Sequence, residues 1–394
     1  MLPIIHDNYG LAEQYRLSGY GLAGDFAGSM KIVYLLRDEF TTNEAAPLAS
    51  PRTCEPGPGS FTFIDTNNLF SIAGGELVGE EALAAGVGDP SIVSVDGYDF
   101  TVGGTAVIWS HYMPQGAGNE RIKYGIGNGS VITLGIRQTE TKGINIVKGG
   151  YSNTFAIAVS GTELNKIAAV CRTGGGEFIF LQLPAGTWKL IWVGFGAAYS
   201  ATSKAVVLAE SASYSVYTKL TYIRIANLAA GLDTRYGIAT DHQSSAGIGT
   251  EIAQSADAFV QAEIAANPSA ASVNMAFRRT DDDNCWYARL TEGATDTIKL
   301  IERNGGVETE RASTNVAFAG NPGIAALCKG NSIWAIYHRG NGQIYQAPVA
   351  NGYTSAFNNT ATSAKLVDLT ADDFSSYSVD PPAAVIAELD RYTA

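Results

Sequence analysis

The residues in this sequence best suited to chemistry are acids held close together. Asp281-Asp282-Asp283-Asn284 sets four oxygen-bearing side chains in a row. Hard oxygen ligands of this kind suit Ca²⁺. The run lacks the Asp-x-Asp-x-Asp-Gly spacing of an EF-hand, and it also fits a polar hairpin tip ahead of Cys285. No other pattern calls for a cofactor. Glu308 and Glu310 form a second acidic group. Two residues apart on a strand, they share a face. General acid–base hydrolysis needs two carboxyls on one strand face, spaced so that both flank the scissile bond. Two carboxylates on a hairpin are also an ordinary solvated face.

Other catalytic patterns are missing. No Gly-x-Ser-x-Gly elbow occurs. Of the four histidines, His242 stands beside Asp241 and His338 ends an expected strand, and neither has a nucleophile to serve. Cys54, Cys171, Cys285 and Cys328 are far apart, without the clustering of a zinc site. They read as buried reduced thiols, with Cys285 and Cys328 as neighbours in one sheet. Gly127-Asn128-Gly129 and Gly174-Gly175-Gly176 read as hairpin turns, because no helix follows to cradle a phosphate. The expectation is no catalytic residue and no enzyme.

The elements that must carry these residues are strands. Glycine (44 residues) separates short Val/Ile/Thr/Tyr runs, the mark of many-stranded antiparallel sheets. Such runs fall at 60–65, 105–112, 131–138, 166–172, 177–183, 187–195 and 220–225. A second series falls at 258–265, 272–278, 285–290, 297–303, 307–312, 323–329, 332–338 and 343–348. Asn304-Gly305-Gly306 between two runs predicts a tight hairpin. Trp188, Leu190 and Trp192 alternate onto one strand face, which is either a core face or a platform for sugar rings. Helices are expected only at 8–17 and 382–392, with one turn near 80–85. Pro381-Pro382 suit the first turn of the last helix.

Bulk composition narrows the function. In 394 residues, 46% are hydrophobic and 16% charged, enough apolar material for two cores. The net charge of −12 has the wrong sign for a general nucleic-acid grip. No stretch approaches the roughly 18 apolar residues of a membrane-spanning helix. The first residues, Met1-Leu2-Pro3-Ile4-Ile5-His6-Asp7, lack the basic start and apolar run of a signal peptide. Synthesis in a cytoplasm is expected. The two strand series echo each other weakly, as Gly186-Thr187-Trp188-Lys189-Leu190-Ile191-Trp192 against Ser332-Ile333-Trp334-Ala335-Ile336-Tyr337, so the halves read as two versions of one sandwich.

Phe277-Arg278-Arg279-Thr280-Asp281-Asp282-Asp283-Asn284-Cys285-Trp286-Tyr287-Ala288-Arg289-Leu290 reads as a strand, a polar hairpin and an aromatic-Tyr-x-Arg-Leu strand. Thr297-Ile298-Lys299-Leu300-Ile301-Glu302-Arg303 and Asn331-Ser332-Ile333-Trp334-Ala335-Ile336-Tyr337 follow it. In this order, over about residues 258–369, they resemble the concanavalin A-like or laminin G-like jelly-roll β-sandwich. Arg37-Asp38-Glu39-Phe40 and Phe70-Ser71-Ile72-Ala73-Gly74-Gly75-Glu76-Leu77 resemble the opening strands of another such module.

The resemblance implies an all-β chain of two antiparallel jelly-roll-like β-sandwich domains with an extended N-terminal arm. The expected boundaries are an arm at 1–30, a first sandwich at 31–228, a connector at 229–249, a second sandwich at 250–380 and a short helical tail at 381–394. Modules of this look are common in structural proteins of tailed phages. A non-enzymatic virion component is therefore expected: tail, neck, fibre or capsid decoration. Its partners would be other virion proteins and copies of itself, with the arm docking on a neighbouring subunit. The alternative is a carbohydrate-binding adhesion module for a cell-surface glycan, with Trp286, Tyr287, Tyr337 and Tyr345 as stacking rings. A glycoside hydrolase of the same clan is the third reading. Against it, the Glu-x-Asp-x-x-Glu pattern of those enzymes is absent, and Glu388-Leu389-Asp390 in the terminal helix comes nearest.

Overall fold

In a computed structural model, the described residues are 34–64, 68, 70–82, 91–94, 104–112, 121–128, 131–139, 143–148, 151–152, 157–158, 166–171, 177–182, 186–194, 204–210, 215–227, 239–264, 272–317, 323–338, 344–347, 353–354 and 359–393. The expected N-terminal arm and the helix at 8–17 lie outside them.

The described residues form strands in four antiparallel sheets and one helix, Ala383–Thr393. The chain is all-β. An eight-stranded sheet runs in the order Trp188–Gly194, Glu177–Gln182, Lys166–Cys171, Gly104–Tyr112, Ser215–Asn227, Glu76–Ala82, Phe70–Ala73, and Tyr34–Asp38 also pairs with Ser215–Asn227. A nine-stranded sheet includes Ser60–Ile64, Arg121–Asn128, Val131–Thr139 and Lys204–Glu210. Phe63 of the nine-stranded sheet and Phe70 of the eight-stranded sheet bring their ring centroids to 5.8 Å. Non-consecutive neighbours such as Gly104–Tyr112 beside Ser215–Asn227 are the crossovers of a sandwich rather than a simple meander.

The second pair of sheets encloses one core. A seven-stranded sheet runs Ala239–Ala246, Ala371–Ser378, Ala258–Ile264, Gly323–Lys329, Ser332–His338, Ile344–Ala347, with Tyr353–Thr354 also on Ser332–His338. A six-stranded sheet runs Glu251–Ala253, Ser363–Leu366, Ser272–Asp281, Asn284–Thr291, Thr297–Asn304, Val307–Asn315. Val260, Ala262, Ile324, Ala326, Ala335 and Tyr337 of the first meet Met275, Phe277, Trp286, Leu290 and Leu300 of the second. Alternate residues on each strand supply this core, as the pleat requires.

Alternation is not the whole pattern. Ala258–Ile264, Gly323–Lys329 and Ser332–His338 are buried at nearly every position. So are Glu177–Gln182 and Trp188–Gly194 in the other sandwich. A sheet buried on both faces has neighbours on both. The second face of the seven-stranded sheet meets the first sandwich: Trp192 lies 5.5 Å from Phe259 and 5.7 Å from His338, and Phe178 lies 5.5 Å from Tyr377. Trp188, Leu190 and Trp192 are all buried, and Trp192 packs directly into this junction. Leu190 N donates to Val379 O at 3.0 Å, so the edge of the eight-stranded sheet is hydrogen-bonded to the end of the second sandwich.

The expected helix over 382–392 forms as Ala383–Thr393 and closes the same seam. Trp188 Nε1 donates to Asp390 at 2.9 Å. The Arg224 guanidinium donates to the Tyr392 carbonyl at 2.9 Å, and the Tyr34 hydroxyl donates to it at 3.4 Å. A cation on the last carbonyls of a helix is the favourable end of its dipole.

Three expectations need correction. The connector at 229–249 holds a strand, Ala239–Ala246, paired along Ala371–Ser378. Its sequence, Ala-Thr-Asp-His-Gln-Ser-Ser-Ala, carries no β-branched apolar run, so backbone pairing rather than side-chain propensity makes it a strand. Of the turn expected near 80–85, residues 80–82 instead end the strand Glu76–Ala82, held in register by Ser215–Asn227, and 83–85 lie outside the described residues. Cys285 and Cys328 are buried and free, but they belong to different sheets and so are not sheet neighbours.

Candidate functional site

The six-stranded sheet has one face in the core, and no sheet of the described residues packs on its other, open face, which is topped by charged side chains. On the open face Asn274, Ala276, Cys285, Tyr287, Arg289, Lys299, Ile301 and Arg303 follow the alternate register positions. A small apolar floor lies beneath the polar groups: Ala276, Cys285, Tyr287 and Ile301, with Val367 against them.

A polar chain crosses this floor. Asp368 accepts from Asn274 Nδ2, and Asn274 Oδ1 accepts from Arg289 Nε. Arg289 also pairs with Glu308 at 2.8 Å and stands 5.6 Å over the Tyr287 ring. Arg303 donates to the Tyr287 hydroxyl at 3.3 Å and to Asp283 at 3.1 Å. Lys299 pairs with Glu310 at 2.8 Å. The side chains are therefore held before any ligand arrives. Strand positions fix their bases, and charge-assisted bonds fix their tips.

This geometry separates the roles expected of the acids. The Arg289 guanidinium bonded to Glu308 holds that carboxyl below its ordinary value. A general acid needs the opposite shift. Glu308 and Glu310 each pair with a cation, and Glu308 is shifted away from the value a general acid needs.

The acidic run is the tip of the hairpin joining Ser272–Asp281 to Asn284–Thr291, with Asp281 opposite Asn284. Asp281 accepts from Asn284 Nδ2 at 2.9 Å and from the Asp283 amide at 2.9 Å. Asp282 is bound by Lys365 at 2.8 Å and by Arg279 at 3.0 Å, and these two cations pull its carboxyl below the ordinary range. Asp283 is bound by Arg303. The carboxylates thus serve three different cations. A calcium ion would have to displace Lys365, Arg279 and Arg303 to gather them, so this donor set does not fit Ca²⁺. Among the described residues no three acids, histidines or cysteines gather as metal ligands.

Three of the four rings expected to stack on sugar are placed elsewhere, and the fourth is covered. Trp286 and Tyr337 are fully buried between the sheets of the second sandwich. Tyr345 packs against that core with its ring 6.0 Å from Tyr337. Tyr287 does lie on the open face, yet it is 4% exposed and covered by Arg289. Burial pushes its hydroxyl up to about 12, with the Cys285 thiol adding to the shift. Large rings bury well, so composition alone does not separate a core tryptophan from a stacking one. The residues that sequence reading missed, Asn274, Arg289 and Asp368, become a group only through cross-strand register.

No protein-family model matches the sequence, and no curated protein matches it. Solved structures do align with part of it. One is a glycosyl hydrolase family protein from Mycobacterium fortuitum, at 17% identity and a TM-score of 0.34, over 49% of this chain and 100% of that one. Another is the exoplasmic/lumenal domain of VIP36 in a Ca²⁺/Man3GlcNAc-bound form, at 10% identity and a TM-score of 0.30, over 43% of this chain and 83% of that one. A third is the carbohydrate-binding module CBM66 from Bacillus subtilis, at 13% identity and a TM-score of 0.25, over 36% of this chain and 93% of that one.

Proposed function

We propose that this chain is a carbohydrate-binding protein without catalysis, and that the open face of the six-stranded sheet is its sugar-facing surface. The observation that carries this reading is the pre-held chain Asp368–Asn274–Arg289–Glu308 above an apolar floor. A sugar offers many hydroxyls and few charges. It is recognised by donors and acceptors fixed at set spacings, because ordering flexible side chains would cost binding energy. Arg289 and Asn274 supply donors, and Glu308 and Asp368 supply acceptors.

The absence of catalysis rests on the same chemistry. Hydrolysis of a glycosidic bond needs one carboxyl kept protonated and a second ionised at a set separation. On this face Glu308 is held ionised by Arg289, and Glu310 is paired with Lys299.

The test is a glycan array probed with the full chain. Binding to a defined set of glycans is expected, with affinity in the micromolar to millimolar range that few polar contacts give. Arg289→Ala should weaken it about tenfold or more, since removing one partner of a charged hydrogen bond costs about 1.5–3 kcal/mol. An array without signal, or Arg289→Ala binding as tightly as the parent, rules the reading out.

A further inference from the structure

The charges on the open face of the six-stranded sheet are sorted by position. Up to the hairpin tip, the inner strands present Lys365, Arg289, Lys299 and Arg303 there, and no acid. The carboxylates paired with these four cations come from the margin. Glu308 and Glu310 belong to the edge strand Val307–Asn315, and Asp282 and Asp283 belong to the hairpin tip. The face is a cationic centre inside an acidic rim.

Register brings two of the cations together. Arg289 stands directly opposite Lys299 on the neighbouring strand. Like charges placed so destabilise a sheet unless something answers both. The rim answers them only in part. Of its five donors Arg289 spends one on Asn274, and it meets Glu308 through Nη1. The Lys299 ammonium has three donors, and Glu310 takes one. Donors remain on both.

Centre and rim also differ in freedom. The four cationic side chains are 21–29% exposed, and their acids are 38–67% exposed. Exposed ion pairs are weak, so these acids can turn to water at little cost. The cations are set more firmly. Arg289 stands over the Tyr287 ring, and Arg303 donates to the Tyr287 hydroxyl.

We propose that the glycan bound on this face is acidic, and that the carboxylate of one of its sugars sits between Arg289 and Lys299. This rests on the reading of the face as sugar-binding and adds the class of sugar. A carboxylate offers one oxygen to each cation through charge-assisted bonds. It answers the opposed pair without removing either rim acid. A neutral sugar brings only hydroxyls and leaves the two positive charges facing each other. The rim and the net charge of −12 disfavour a dense polyanion, so the acid is an isolated residue among neutral sugars.

The experiment is an array of glycans bearing single uronic or sialic acid residues, each printed beside its carboxyl-reduced form, with neutral and sulfated glycans as further arms. The full chain is the probe. The glycans bound should carry a carboxylate, and reducing it should weaken binding about tenfold or more. Lys299→Gln should weaken binding of the acidic form by about the same factor and leave the reduced form unchanged. This variant removes repulsion at an exposed position, so it should fold, as circular dichroism would verify. Raising NaCl from about 0.05 to about 0.5 M should weaken the acidic form severalfold. Equal binding of the acidic and reduced forms, or of parent and Lys299→Gln, overturns the proposal while the sugar-binding reading stands. So does binding confined to neutral or sulfated glycans. An array without any signal removes both.

Discussion

Two carboxylates show how neighbours set the work an acid can do. Glu308 sits beside a guanidinium and is held ionised, whereas Glu263 sits beside two acids and holds its proton more tightly. The second case has a consequence for stability. A carboxyl whose folded value lies above its unfolded value binds protons better when folded, so it favours the fold increasingly as pH falls through the folded value. At neutral pH its charge works against the fold. Glu263→Gln should therefore raise the melting temperature at pH 7 by about 1–4 °C. That gain should shrink toward zero as the pH is lowered into the carboxylate range. Thermal melts of parent and variant at pH 7 and at pH 4 check both parts, and a variant that melts lower at pH 7 refutes them. None of this was legible from residue types. Glu263 and Asp373 lie far apart in the sequence and meet only through the register of Ala258–Ile264 on Ala371–Ser378. The same holds for Asn274 and Arg289. The acidic run Asp281–Asn284 was visible at once, and its alternative reading as a hairpin tip is the geometry found.

At the scale of elements, legibility followed locality. Asn304-Gly305-Gly306 announces a hairpin because both glycines must take positive φ, and they do so at 58° and 81°. Pro381-Pro382 announce a helix start for the same kind of local reason. Ala239–Ala246 announces nothing, since its partner strand lies at the other end of the module. The alternation of Trp188, Leu190 and Trp192 allows a core face or a sugar platform, and Tyr337 suits a stacking ring, yet Trp188–Gly194 and Ser332–His338 are both buried strands. What the sequence did not disclose is that their second faces meet each other across two modules. Trp192 is the measure of that contact. Trp192→Ala removes a fully buried ring from between Phe259 and His338 and should cost about 3–5 kcal/mol. Urea unfolding of the variant gives this directly. A loss under about 1 kcal/mol would mean the junction is loosely packed.

At the scale of the whole molecule, residues 34–394 form a single compact unit. Its layers place the open face of the six-stranded sheet on the side of the second sandwich away from the first. The reading as a particle component drew on a family resemblance and on an arm that lies outside the described residues. The reading as a sugar-binding protein draws on side chains whose contacts are all in view. The net charge of −12 fits either and disfavours a nucleic-acid partner.

The measurement that tests the sugar-facing surface most directly is amide hydrogen exchange of the full chain with and without a saturating glycan ligand. Slower exchange is expected in Ser272–Asp281, Asn284–Thr291 and Thr297–Asn304, with little change in Ala258–Ile264 and Gly323–Lys329. Protection confined to any other sheet, with those three strands unchanged, would contradict the account.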